Sequence, residues 1–401
     1  MHDQHVTCRV LAGTVFLAVV ATQTPPPARV DDGRQWVDAK PAITADSPAI
    51  VRGAIAAAFN DVATAEPLLQ KIIRSQPKSE DAHKAHLLLS RIYLRSGQYK
   101  RLLENLEAWA ASFPGRNEVR TDQRDMELFR GLPDQVNGPR QPMTLPHDKG
   151  EGEFSAPVSI NGKSAEYLFD SGAWISTITE AEAMRLGLEI RKGAGVVGDS
   201  SGKNVTVRTT VAKEVRIGPM RFQNVSFIVL PSQDGGGILG IPVLLALSRL
   251  QWSNDGTWQL AGPAGKSEPE AANLVFFENR LLLAMRVSNA RVFGALDTGA
   301  IDTDLNSNFA DQFKELIQSK GTRGSRDITG VGGTATVDSI ALPELTFDIF
   351  GTPATLRPAH VTLQRTSGMG GKCCIGNIGR DLLLQTGRLI IDFSTMTLQI
   401  K

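Results

Sequence analysis

A repeat constrains this chain more than any other feature. The run Tyr167-Leu168-Phe169-Asp170-Ser171-Gly172-Ala173 is echoed by Gly294-Ala295-Leu296-Asp297-Thr298-Gly299-Ala300, with the aspartates 127 residues apart. Downstream, Ile238-Leu239-Gly240-Ile241 is echoed by Asn377-Ile378-Gly379-Arg380, the glycines lying 70 and 82 residues after their aspartates. Each half then closes on a similar hairpin, Leu250-Gln251-Trp252 with Trp258-Gln259-Leu260 and Ile391-Asp392-Phe393 with Leu398-Gln399-Ile400. Between these landmarks run short stretches of Val, Ile, Thr and Phe broken by Gly, Asn and Asp, which predict β-strands. A single Asp-Ser/Thr-Gly triplet is a common accident. Two copies, each after an apolar strand and each with a matching apolar-Gly segment, describe a duplicated β unit. The halves are predicted at 153–262 and 271–401, joined by a short stretch carrying Pro263 and Pro269.

Two aspartates on apposed loops have a defined chemistry. Like charges held close cannot both ionise cheaply, so such a pair shares one proton. The charged member can take a proton from water while the neutral one donates to a carbonyl, and the roles exchange as the intermediate collapses. No metal, cofactor or covalent intermediate is required.

The ordered motif set resembles the aspartic peptidases of the retropepsin/pepsin group over about 250 residues. The resemblance implies a mainly β chain, a bilobal pair of acid-protease-type β-barrels, acting as a monomeric endopeptidase on a polypeptide substrate. It implies Asp170 and Asp297 as the catalytic pair. Ser171 and Thr298 would hydrogen-bond across the loops, and Gly172 and Gly299 would form the tight turns. Gly240 and Gly379 would be structural, packed beneath the aspartate loops. The family also covers its cleft with a glycine-rich hairpin, the flap. Gly330, Gly332 and Gly333 are candidates in the second half and Gly198 in the first, starting 33 and 28 residues after their aspartates. An ordinary exposed hairpin turn is the other reading. Pepsins carry a flap tyrosine, and Tyr93, Tyr99 and Tyr167 are the three tyrosines here, so the likeness is to two fused retropepsin-type halves. Trp174 either lines the cleft or joins the core, and Asp302 and Asp304 add negative charge beside the second motif.

Upstream, residues 48–130 change to a helical texture. Ala85, Leu88, Leu89, Ile92 and Tyr93 recur at helical spacing, Gly97 interrupts, and Leu102, Leu103, Leu106 and Trp109 resume it before Pro114. This predicts a small α-helical hairpin. Leu89, Tyr93, Gly97, Tyr99 and Pro114 make it similar to a tetratricopeptide repeat, which implies a protein-binding surface; a plain helical appendage is the alternative. His83 and His86 share a helix face without acidic or cysteine neighbours and read as surface residues rather than metal ligands. Four prolines within 131–152 predict a linker.

Arg9 followed by the apolar run Val10–Val20 and a small-residue site gives 1–21 the layout of a signal peptide, with export to the periplasm or outside and no membrane span after its removal. Residues 28–47 read as a small pro-region or a disordered stretch. Cys8 would leave with the leader, and the adjacent Cys373 and Cys374 read as small buried residues rather than a disulfide. Lys+Arg 43 against Asp+Glu 42 leaves a net charge of +1, without the basic excess of a general nucleic-acid binder. Two functions stay open on the residues: an exported aspartic endopeptidase, and a non-catalytic peptide- or protein-binding module of the same fold with a helical adaptor.

Overall fold

The computed structural model describes residues 30–120, 127–147, 154–192, 195–198, 204–231, 236–263, 272–330, 333–363 and 373–401. The expected leader, 1–21, lies outside them. The helical section consists of α1 (Ala49–Ala58), α2 (Val62–Ser75), α3 (Glu80–Arg95) and α4 (Tyr99–Ser112). Asp61 and Ser79 cap α2 and α3 by accepting from the amides of Thr64 and Ala82, which satisfies one orphan N–H at each start. Gly97, at φ +68°, supplies the left-handed turn between α3 and α4. The apolar residues spaced along α3 and α4 are buried, from Ala85 through Tyr93 to Leu106 and Trp109.

His83 and His86 depart from the surface reading, for both are buried. Trp109 Nε1 donates to His83 Nδ1 at 3.0 Å, and His86 Nδ1 lies 2.8 Å from Asn105 Oδ1. Both rings pack on Trp109 and Phe113. Helical periodicity marks the face they share, but only the neighbouring helix decides that this face is covered.

The halves of the β region are built alike. In the first, the strand Lys163–Phe169 runs antiparallel to Ser155–Ile160 and parallel to Gly237–Leu239. In the second, Ala290–Leu296 runs antiparallel to Arg280–Val287 and parallel to Gly376–Ile378. Each motif strand is therefore flanked by the apolar-Gly segment of its own half. Among the described residues the first half, together with the upstream strand Val136–Asn137, forms an eight-stranded sheet and the second a ten-stranded one. A third sheet takes strands from both: Met143–Pro146, Thr257–Leu260, Arg249–Ser253, Arg388–Asp392 and Thr397–Ile400 follow in that order. The two closing hairpins meet there edge to edge, Leu250 opposite Ile391 and Trp252 opposite Leu389.

The stretch expected as a linker is not a free tether where it is described. Val136–Asn137 pairs with the strand Met220–Leu230 of the first half, and Met143–Pro146 joins the shared sheet. Prolines and glycines mark its ends, and edge pairing absorbs the rest. Residues 30–43 are likewise ordered: Asp32 bridges to Phe277, and Arg34 bonds Asp32 and the Cys373 carbonyl. Cys373 and Cys374 are buried, and their sulphurs are bonded to each other, which corrects the unbonded expectation. Arg34, Asn306 and Asn308 hold the carbonyls of this segment, bringing both side chains to one place. Among the described residues no helix is long and apolar enough to cross a membrane.

Trp258 keys the packing above the shared sheet. It is fully buried, its Nε1 donates to the Ser155 carbonyl at 3.0 Å, and its ring meets Phe154 at 4.8 Å and Phe169 at 5.2 Å between centroids. Trp258→Ala removes the ring and leaves that carbonyl unpaired, so it should destabilise the protein by about 3–5 kcal/mol. A guanidinium unfolding midpoint that does not move would contradict this placement.

Candidate active site

Each aspartate loop hangs from its own sheet. The amide of Asp170 donates to Leu239 O and that of Asp297 to Ile378 O, both at 3.1 Å. The glycines one residue further along permit the approach. A Cβ on Gly240 would stand 2.5 Å from Ala173 O, and one on Gly379 would stand 2.6 Å from the Asp302 backbone. Their amides are held in the same way, Gly240 N by Ser176 Oγ and Gly379 N by Thr303 Oγ1.

The loops meet through Ser171 and Thr298. Ser171 N donates to Thr298 Oγ1 at 3.0 Å, and Thr298 N donates to Ser171 Oγ at 3.2 Å. The hydroxyls then donate onward, Ser171 Oγ to Leu296 O at 3.0 Å and Thr298 Oγ1 to Phe169 O at 2.7 Å. Both side chains are buried. Each hydroxyl thus accepts from the opposite amide and donates to the opposite strand just ahead of its aspartate.

Gly172 and Gly299 lie against the facing carboxylates. A Cβ on Gly172 would stand 2.7 Å from Asp297 Cγ, and one on Gly299 would stand 2.5 Å from Asp170 Cγ. A side chain at either position would displace the facing carboxylate. The six residues Asp170, Ser171, Gly172, Asp297, Thr298 and Gly299 are therefore assembled at one point, with Gly240 and Gly379 directly behind them.

Burial, then the charge of Asp297, pushes the Asp170 carboxyl well above the usual carboxylate range, against the N–H groups of Gly172, Ala173 and Gly299. Burial raises Asp297 too. It is opposed by the Ala300 amide, by a hydrogen bond from Asp170, by the Gly299 amide and by the positive charge of Arg380. Asp297 also accepts from Asn377 Nδ2 at 3.3 Å. Asn377 and Arg380 have no counterparts in the first half, where the sheet register puts Ile238 and Ile241. Sequence reasoning gave neither a role. The mismatch between the echoed segments is the signal that could have found them. The field is therefore uneven, with Asn377 and Arg380 beside Asp297 alone.

The other candidates are placed as follows. Gly198 ends the strand Gly195–Gly198 and pairs with Asn204, while Gly330 and Gly333 pair at the end of the hairpin Thr322–Gly330 with Gly333–Leu342. Gly332 and both hairpin tips lie outside the described residues. Trp174 is half-buried and meets the Phe129 ring edge-on at 5.7 Å, so it packs on the turn that follows the helical section. Asp304 accepts from Thr362 Oγ1 at 2.9 Å and Arg326 Nη1 at 3.3 Å.

Residues 156–243 match the family model described as aspartyl protease. The match supports an aspartic protease fold. It spans the first motif strand, Asp170 and Gly240. No curated protein matches the chain. Among solved structures, a retropepsin-like aspartic protease from Rickettsia conorii is similar at 16% identity, with 32% of this chain and 91% of that chain covered and a TM-score of 0.24. A likeness of that size adds nothing to the assignment.

Asn377→Leu keeps the volume and removes an N–H that stabilises ionised Asp297. The first ionisation of the pair should therefore move to higher pH, followed by carbon NMR of the aspartate carboxyls. An unchanged titration would show that Asn377 does not bias the pair.

Proposed function

We propose that this protein is an aspartic endopeptidase in which Asp170 and Asp297 activate a water against a peptide bond. The reading rests above all on the reciprocal Ser171–Thr298 bonding, which ties the backbone of each aspartate to the other. The family match on 156–243 supports peptidase chemistry in general.

The pair holds one proton, kept by Asp170, while Asn377 and Arg380 favour charge on Asp297. Ionised Asp297 takes a proton from the water as its oxygen attacks the scissile carbonyl. Asp170 gives its proton to the carbonyl oxygen, forming a neutral geminal diol. On collapse Asp297 passes its proton to the leaving nitrogen, and Asp170 recovers one from a diol hydroxyl. The C–N bond breaks, and the pair returns to one proton. Both aspartates come from one chain, so a monomer suffices. The hairpins ending at Gly198 and at Gly330–Gly333 serve as flaps on this reading. The layout of 1–21 supports export, and the helical section offers a surface for a protein partner.

Asp170→Asn and Asp297→Asn should each abolish hydrolysis of an unstructured polypeptide while circular dichroism and the unfolding midpoint show a folded chain. Normal turnover by either variant would sink the pair. A wild-type chain that binds peptides without cleaving them would instead point to a non-catalytic module.

The pH dependence follows from the shared proton. Asp170 is raised to about 7, by burial and then by the facing charge. As pH rises through that region the remaining proton leaves, and the rate should fall. At low pH both carboxyls are protonated, no base remains, and the rate falls again. Hydrolysis should therefore peak in mildly acidic solution. A rate still climbing at pH 9 would contradict it.

A further inference from the structure

The two motif loops end differently. Trp174 and Ile301 occupy equivalent positions after Asp-Ser-Gly-Ala and Asp-Thr-Gly-Ala. Ile301 is 59% exposed. Trp174 is half-buried, with the Phe129 ring against it in a T-shaped contact. Phe129 is fully buried and stacks flat on Tyr99, 5.1 Å between centroids and 9° between planes. Tyr99 opens α4 and is buried as well. Three rings in contact thus connect the helical section to the residue that ends the Asp170 loop. The loop is short at that point: the Ala173 carbonyl accepts from the Ile241 amide at 2.9 Å.

The same turn also reaches the first-half hairpin. Leu128 lies so close to Gly195 that a Cβ there would stand 3.0 Å from Leu128 Cδ1. Gly195 begins one strand of that hairpin. The carbonyl of Arg130 accepts from Arg191 Nη2 at 2.9 Å, and Arg191 N donates to Thr209 O on the other strand. On its far side the turn is tied back to the helices. Arg130 pairs with Glu107 of α4, Lys100 N donates to Asp134 Oδ1 at 2.7 Å, and Gln135 N donates to the Gly97 carbonyl at 2.9 Å.

We propose that residues 127–131 form a brace through which the helical section fixes the Asp170 loop and the base of the first hairpin, with Phe129 as the positioning residue. This rests on the peptidase reading for its catalytic consequence, and on packing alone for the brace itself. A rigid support under one reacting group acts on the rate of the chemical step, since small misplacements of such a group are heavily penalised. The contact to Gly195 acts on the hairpin instead. The second half has Ile301 open at the equivalent point, so the support is one-sided.

The test uses the full chain with Phe129→Ala and with Phe129→Leu, the second keeping most of the buried volume without the ring edge. In either folded variant, amide exchange should quicken at 174–178 and 195–198 relative to 301–305, which controls for general loss of stability. On a peptide substrate, kcat should fall about tenfold in Phe129→Ala with KM within about twofold. Leucine should give the same direction at smaller size. Exchange at wild-type level in the folded variants overturns the brace, and an unchanged kcat alongside faster exchange overturns its effect on the rate. If the wild-type chain itself proves inactive, the peptidase reading falls, while the exchange comparison still decides the brace.

Discussion

Two buried hydroxyls exchanging hydrogen bonds across a lobe boundary are the contact on which the remaining structure depends. Ser171 and Thr298 each satisfy a backbone amide and a backbone carbonyl that belong to the other half. A buried polar group left unpaired costs about 1–3 kcal/mol, so partial separation of the loops would strand several groups at once. The arrangement favours a fully seated pair over a loose one. The shared sheet brings the lobes to that seat, and the bare glycines let the facing carboxylates approach. Close approach in turn makes a common proton cheaper than two charges.

The two halves share one backbone plan, and their side chains depart from it. The halves match in strand order, in the pinning of each aspartate amide and in the Ser176 and Thr303 contacts behind the loops. They diverge where a carboxylate meets its surroundings. Asn377 and Arg380 face Asp297 where Ile238 and Ile241 stand in the first half, and Trp174 is covered where Ile301 is open. Backbone geometry is common to both halves, while polarity and support are individual.

Much of the site could be read from residues alone because its parts are local. Asp-Ser/Thr-Gly is a turn with its own backbone demands, and the apolar-Gly segment is a strand with its own spacing. Asn377 and Arg380 escaped, since they reach Asp297 from a parallel strand about 80 residues on and from the helix that follows it. The buried state of His83 and His86 escaped for a related reason: Trp109 and Phe113 cover them from another helix. Pro and Gly between 131 and 147 predict broken structure, yet edge strands tolerate both, and the chain there is stitched to three neighbours. Helical periodicity likewise marked α3 and α4 but neither the two helices packed before them nor Phe129, which lies beyond α4 in a turn of three residues.

The shared sheet also has a meaning in time. Arg249–Ser253 has its hairpin partner soon after it is made, but its other edge waits for Arg388–Asp392. At about 5–20 residues per second, that wait is on the order of ten seconds during synthesis. Throughout it, a strand carrying Leu250 and Trp252 presents unpaired backbone groups, the template on which neighbouring chains aggregate. The first lobe can complete its own sheet well before then, yet its boundary stays unfinished until the second has been made. Until both hairpins exist, that edge stays open to a neighbouring chain.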